Sequence, residues 1–404
     1  MNILFVTIAW PDPGERNLYS DLVEEFAANG HNMYVLCSDP NTPKTWLDEG
    51  AVANVIRVRT MQVRKANKVR KAFALTGLGR KLRTTCLRHW SSLKFDLIIS
   101  HSPPVTLAIL LRDLKNYYRA PLYYLLKDIW PQGPVDLGLV SRYNPAYFYF
   151  RYKEIQTYKT ADWLGCMSAM NVSYVLRHNL FLNCEKVEIC PNTIKPRNFE
   201  IRTSPREVRA RFGVPEESTV FILSGNLGRA HGLPFYLEAI EKMKTYGKAF
   251  FVIGGAGSYF EYVTHEVKRR GLQNVVVYSR LPIADFDDLL SACDVGVVLL
   301  HAKYTVPQFP SRVLAYLEAS KPVLCAVNVD TDIGVVVENA GCGINTVHGN
   351  LDSFERAVRA FCELKGTDRF EEMGRKARAL LERDYPVRRT YEIIVNRLSR
   401  VDRG

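Results

Sequence analysis

The chain has 404 residues, 47% of them hydrophobic and 24% charged, the balance of a globular protein too long for one ordinary core, so two domains are expected. An excess of 54 Lys and Arg over 42 Asp and Glu gives a net charge of +12, which points to an acidic partner. No apolar run is long enough to span a membrane as a helix, and nine cysteines without a Cys-x-x-Cys pair fit reduced core thiols rather than a disulfide scaffold.

The start, Ile3–Ala9, reads as a first buried strand rather than a charged leader, so a cytoplasmic chain is expected. A helix over Leu18–Asn29, stopped by Gly30, follows, then strand-like runs at Met33–Cys37 and Asn54–Val58. Between Arg57 and Trp90 the chain carries 11 basic residues and no acidic one. Arg64, Lys65, Lys68, Arg70 and Lys71 interleave there with apolar residues at roughly helical steps, with Gly77 and Gly79 expected to interrupt. A basic amphipathic segment ending in Trp90 suits an anionic membrane surface. Nucleic acid and a plain solvated face are the competing readings, but no base-reading motif accompanies the charge. Strand-like runs at Asp96–Ser100, Leu122–Leu126 and Trp163–Met167 complete a first domain over 1–190, and the polar stretch 191–218 reads as a linker.

A second strand–helix alternation occupies 219–385. Strands are expected at Thr219–Ser224, Ala249–Ile253, Val275–Tyr278, Val295–Leu300 and Val323–Val327, with helices at Pro234–Tyr246, Tyr259–Arg270, Ile283–Ala292, 312–320 and Ile333–Asn339. Residues 386–404 hold a terminal helix, expected to pack back toward the first domain. The fold class is α/β: two doubly wound, parallel-sheet, Rossmann-like domains facing across a cleft, with ligand loops at the strand C-termini.

Those loops carry the chemistry. Gly14, after the first strand, permits close backbone approach, but no Gly-x-Gly-x-x-Gly fingerprint is present. Ser224-Gly225-Asn226-Leu227-Gly228-Arg229-Ala230-His231 is either an anion cradle or a plain tight turn, and Arg229 and His231 favour the cradle. Gly254-Gly255-Ala256-Gly257-Ser258 is a second Gly-rich turn. At Phe309-Pro310-Ser311-Arg312, Ser311 stands at an N-cap position and Arg312 in the first helical turn, a pair that suits a phosphate or simply an ordinary capped helix. Asp330-Thr331-Asp332 has metal-binding spacing, but Asp332 is more simply a cap; no metal is expected.

These motifs resemble, in order and spacing, the family-4 glycosyltransferases of the GT-B fold, in particular the branch of bacterial capsule, O-antigen and colanic-acid assembly. The resemblance rests on Gly30-His31, Lys127-Asp128-Ile129-Trp130-Pro131, Pro191-Asn192-Thr193, Gly225-Asn226-Leu227-Gly228, Asp294-Val295-Gly296 and Pro310-Ser311-Arg312. It implies a retaining transfer of sugar from a nucleotide-sugar, usually a UDP-sugar in that family, to a polyprenyl-diphosphate-linked saccharide. The enzyme would be peripheral on the inner face of the cell membrane and need no cofactor. Gly228, Arg229, His231, Ser311 and Arg312 would meet the diphosphate, Gly257, Ser258 and Arg280 the nucleoside, and Asp128 would orient sugar or acceptor unless it is an ordinary loop carboxylate. Two glutamates common in the family are absent, their positions being Pro307 and Ala315, and Glu318 is the nearest acid that stands in as a donor contact. A non-catalytic partner or scaffold of the same fold is the alternative that this departure favours.

Overall fold

A computed structural model describes residues 1–12, 14–60, 68–198 and 203–401, with the backbone alone for 68–76 and 400–401. It divides into two compact units, Met1–Lys195 with Val387–Gly404, and Pro196–Pro386. Among the described residues no helix is long and apolar enough to cross a membrane.

The first unit runs β1 (Asn2–Thr7), α1 (Leu18–Ala28), β2 (Asn32–Asp39), β3 (Trp46–Glu49), β4 (Asn54–Arg59), α2 (Lys68–Trp90), β5 (Leu97–His101) and α3 (Ala108–Tyr118). It continues with β6 (Leu122–Leu126), α4 (Gln132–Asp136), α5 (Pro145–Thr160), β7 (Trp163–Cys166), α6 (Ala169–His178) and β8 (Val187–Ile189). Eight strands pair in the order β3-β4-β2-β1-β5-β6-β7-β8, and all neighbours are parallel except β3 and β4. The central strands are buried almost from end to end and mostly apolar, because helices cover both faces of a parallel sheet.

Two sequence expectations change here. Helix α2 runs unbroken through Gly77 and Gly79. Leu82, Cys86 and Trp90, spaced one turn apart, are buried beneath it, and that packing outweighs a helix-propensity cost of about 1 kcal/mol per glycine. Trp90 is therefore a core residue, edge-on to Tyr34 at 5.3 Å, and not a membrane anchor. Arg57 is also internal, with Nη2 donating to the Pro11 carbonyl at 2.7 Å. The side chains of Lys68, Arg70 and Lys71 are not described, and Arg64 and Lys65 lie outside the described residues.

The second unit runs α7 (Pro205–Arg211), β9 (Thr219–Asn226), α8 (Leu233–Lys242), β10 (Ala249–Ala256), α9 (Phe260–Arg269), β11 (Val275–Tyr278), α10 (Ile283–Ala292) and β12 (Val295–Leu299). Then come α11 (Arg312–Glu318), β13 (Val323–Val327), α12 (Ile333–Asn339), β14 (Gly343–Val347), α13 (Leu351–Leu364) and α14 (Asp368–Asp384). The sheet is wholly parallel, in the order β11-β10-β9-β12-β13-β14. Strand order reverses between β9 and β12, and such a switch point is where a doubly wound sheet opens a ligand crevice at its carboxyl end.

The stretch 191–218 is shared between the units rather than free of both. Residues up to Lys195 lie in the first unit, while buried Arg209 of α7 binds Asp294 at 2.9 Å and the Ala292 carbonyl in the second. The last helix, α15 (Val387–Val401), belongs to the first unit. Its Val387, Tyr391 and Ile394 join the core under α1, where Tyr391 meets Phe26 edge-on at 4.9 Å.

Candidate functional site

The loops at the β9–β12 switch point hold most of the donor-side residues expected from sequence. Gly225 (φ +98°) lies in register with Gly255 (φ +147°), and a Cβ on Gly255 would come within 1.8 Å of the Gly225 carbonyl oxygen. Likewise, a Cβ on Gly257 would sit 2.5 Å from the Leu227 oxygen. The Leu227 N–H donates to Ala256, and the Tyr259 N–H to Leu227, so the two Gly-rich turns are fastened into one loop pair. Gly225, Asn226, Ala256, Gly257 and Ser258 remain exposed on it.

Arg312 is the centre of this arrangement. Its Nη2 donates to the Asn226 carbonyl at 2.9 Å and to His231 Nε2 at 2.9 Å. His231 Nδ1 lies 3.1 Å from the Leu299 carbonyl, which only accepts, so Nδ1 carries the proton and Nε2 receives from Arg312. Burial, with the Arg312 charge beside it, pushes the His231 pKa down to about 3, so the ring is a neutral spacer rather than a second cation. Arg312 Nη1 is buried without a hydrogen-bond partner, and among the described residues no carboxylate pairs with this guanidinium. Burial lowers its pKa from the ordinary value. A desolvated cation with a spare N–H is the chemistry that an anionic ligand completes.

The scaffold behind Arg312 is non-local. Tyr316, one turn on, places its hydroxyl 3.0 Å from the Ser224 amide, and Gly296 leaves room for its ring, since a Cβ there would lie 2.3 Å away. Gly232 (φ +61°) closes the short turn Arg229–His231, and the His348 ring fills the space where its Cβ would be, with Nε2–H donating to the Gly232 carbonyl at 3.2 Å. Arg229 is exposed at that turn, its Nε donating to the Tyr259 hydroxyl at 3.1 Å. Gly228 precedes it in extended backbone. Tyr259, Tyr316 and His348 were not singled out from sequence. For Tyr316, the four-residue step from Arg312 was the available signal.

Other expected residues stand apart from this cluster or carry different roles. Ser311 makes no side-chain cap and has helical backbone angles, so its hydroxyl is exposed rather than spent on α11. Asp332 makes no side-chain cap either. Arg280 is exposed after β11. Glu318 is turned away into a structural pair: it accepts from the Arg197 amide at 2.8 Å and from Arg197 Nη2 at 3.0 Å, while Arg378 Nη1 caps the Glu318 carbonyl. The three-residue offset from Ala315 puts it on the buried side of α11, which corrects its assignment as a donor contact. Glu318→Ala is expected to cost about 2 kcal/mol, below the usual figure for a broken buried pair because Arg197 is partly exposed. Chemical unfolding checks this, and unchanged nucleotide affinity separates it from a ribose contact.

In the first unit, the Lys127 and Asp128 amides both donate to Ser102 Oγ at 2.9 Å, and buried Lys127 reaches the Pro191 carbonyl at 3.1 Å. Burial and the neighbouring Asp128 charge raise the Tyr19 phenol well above its ordinary range. Tyr19 stacks on His101 at 4.0 Å between ring centres. Gly14 (φ +86°) turns the loop after β1. Among the described residues no group of three or more His, Cys, Asp or Glu side chains is placed to hold a metal ion.

Residues 205–380 match the family described as glycosyl transferases group 1. WbjE of Pseudomonas aeruginosa, named as a glycosyltransferase, is 25% identical over 296 residues, 72% of this chain and 71% of that protein. WcaI of Escherichia coli strain K12, named for glycosyl transfer in colanic acid biosynthesis, is 22% identical over 345 residues, 79% of this chain and 81% of that protein. The structure of Anabaena HepE in complex with UDP and glucose superposes with a TM-score of 0.70 at 16% identity, covering 99% of each chain. The chain thus has the GT-B fold and carries, over residues 205–380, a group 1 glycosyltransferase domain.

Proposed function

We propose that this protein is a retaining glycosyltransferase that takes a hexose or N-acetylhexosamine from a UDP-sugar and adds it to a polyprenyl-diphosphate-linked saccharide during bacterial surface-polysaccharide assembly. The observation that carries the reading is Arg312: a guanidinium whose buried Nη1 has no hydrogen-bond partner, held beside the Gly-rich turns at a sheet switch point. The leaving group of such a transfer is a nucleoside diphosphate, whose negative charge grows as the glycosidic bond breaks. A pre-positioned guanidinium stabilises that charge more than it stabilises the bound donor. Arg312 and Arg229 are assigned this work without a metal; Gly225, Asn226, Gly228, Ser311 and neutral His231 frame the diphosphate, and Gly255, Gly257, Ser258 and Arg280 the nucleoside. Asp128, in the first unit, is assigned to orienting sugar or acceptor, and Gly14 to a close backbone approach to the donor. The name of WcaI supports the polysaccharide part of the reading, that of WbjE the glycosyl transfer, and the UDP bound by HepE the UDP part. The net charge of +12 supports a site of action at the anionic inner face of the cell membrane.

The test is thermal unfolding against UDP, other nucleotides and UDP-sugars, for the native chain and Arg229→Ala. A ligand at 100 times its dissociation constant stabilises the folded state by about 2.7 kcal/mol. The expected result is a rise of about 5–10 °C with UDP, at least halved in the variant. No rise with any nucleotide at millimolar concentration would sink the donor reading and favour a non-catalytic scaffold.

A further inference from the structure

Helix α5 divides into two faces. Its inner face carries Phe150, edge-on to Trp130 at 5.8 Å, and buried Glu154, Thr157 and Tyr158, with the Tyr158 hydroxyl donating to Glu154 at 2.8 Å. The outer face is also aromatic. Phe148 is 58% exposed, Tyr152, one turn on, is 56% exposed, and Tyr149 lies beside them. The loop leading into the helix adds Tyr143 at 79% and Leu139 at 51% exposure. Folded proteins seldom leave so many large rings in water on one element without a partner.

The charges along this segment have one sign. From Leu137 to Lys153 there is no acidic residue, while Arg142, Arg151 and Lys153 are basic, and Glu154 is buried against Arg151. Lys153 Nζ lies over the Tyr149 and Tyr152 rings at 5.6 and 5.7 Å, and Arg142 over the Tyr143 ring at 5.9 Å. The Lys153 pKa is lowered by burial and by the charge of Arg112 on α3, a cation that is itself paired with Asp113 at 3.3 Å. Both α2, basic by sequence, and α5 pack against α3.

We infer that the outer face of α5, with the loop 139–143, is the surface by which this protein docks on an anionic phospholipid bilayer. This choice of occupant rests on the reading of a membrane-borne acceptor. Tyrosine rings sit at the headgroup level, with the ring in the acyl boundary and the hydroxyl in water, while Phe148 inserts further. Exposed Arg142 complements lipid phosphates, while Lys153, which is buried, holds the Tyr149 and Tyr152 rings from beneath. A two-fold pairing of this face with a second copy would instead press like charges together. Trp90, which the basic pattern offered for this role, is buried, whereas the α5 rings are available.

The experiment is co-sedimentation of the full chain with neutral phosphatidylcholine vesicles and with vesicles containing roughly one-quarter phosphatidylglycerol, at low and high salt. The native chain is expected to partition onto the anionic vesicles, less so at high salt. The triple variant Phe148→Ser, Tyr149→Ser, Tyr152→Ser is expected to lose this about tenfold or more, with its unfolding midpoint unchanged. Should the triple variant fail to fold, Arg142→Glu with Arg112→Glu decides, being expected to weaken binding to anionic vesicles alone. Native-like partitioning of the folded variant overturns the inference, as does a native chain indifferent to phosphatidylglycerol. So does a native dimer that the variant converts to monomer with vesicle binding intact. Since no donor or acceptor is present, vesicle binding through α5 by a chain that shows no UDP-induced rise would preserve this inference while removing the donor reading.

Discussion

Arg312→Met is expected to lower kcat for sugar transfer about 100- to 1000-fold, the effect of removing one well-placed donor from a developing anion. The loss should fall on kcat at least as heavily as on KM, because the guanidinium meets more charge in the transition state than in the bound donor. Arg312→Lys keeps the charge but loses the planar fork that grips Asn226 and His231 with one nitrogen while leaving Nη1 open, so only part of the activity should return. Stability behaves differently. Removing a buried cation that no carboxylate neutralises relieves a desolvation cost, which offsets the two lost hydrogen bonds, so the unfolding free energy should stay within about 1 kcal/mol of native. Initial rates and chemical unfolding on the same preparations check both halves. A stable variant with native kcat would remove Arg312 from the chemistry.

The second large effect is on folding. Gly255→Ala places a methyl group 1.8 Å from a backbone oxygen of Gly225, at a φ of +147° that L residues rarely adopt. A flexible side chain would swing aside; a carbonyl held in a parallel ladder cannot. The strained backbone and forced separation of β9 from β10 should cost at least about 3 kcal/mol, or roughly 6–12 °C in the unfolding midpoint of a unit this size. Calorimetry reads this directly. Gly247→Ala is the control, because a Cβ there meets nothing within 4 Å. If both variants melt at the native temperature, the loop pair is looser than its geometry implies.

What was legible from sequence was local. The strand–helix alternation follows from apolar runs bounded by glycine and polar turns, and both sheets carry it. Gly225, Gly228, Arg229, His231 and Arg312 stand out because glycine and cations in strand–helix turns have few purely structural explanations. Contacts made across the sheet were not legible. Nothing near Gly255 in the chain announces that it must back onto Gly225, and nothing near Gly232 announces His348, 116 residues away. Composition misled where burial decides the role. Trp90 ends a basic segment yet faces Tyr34 and Phe95, and Glu318 neighbours the position of a missing acid yet serves Arg197. Short or half-buried elements also escaped: β8 is only three residues long, and β14 has few buried positions to mark it.

The unit that begins at Met1 is completed by α15, whose Val387, Tyr391 and Ile394 lie in its core. On the ribosome, therefore, the order of synthesis and the order of completion diverge. The sheet of the first unit emerges early, but its apolar surface beneath α1 waits uncovered through the synthesis of residues 196–386. That intervening stretch has its whole sheet and core within its own span, so it closes while its elder neighbour is still unfinished. For the nascent chain, the interval of greatest exposure to aggregation and to holding chaperones falls on the half that was made first.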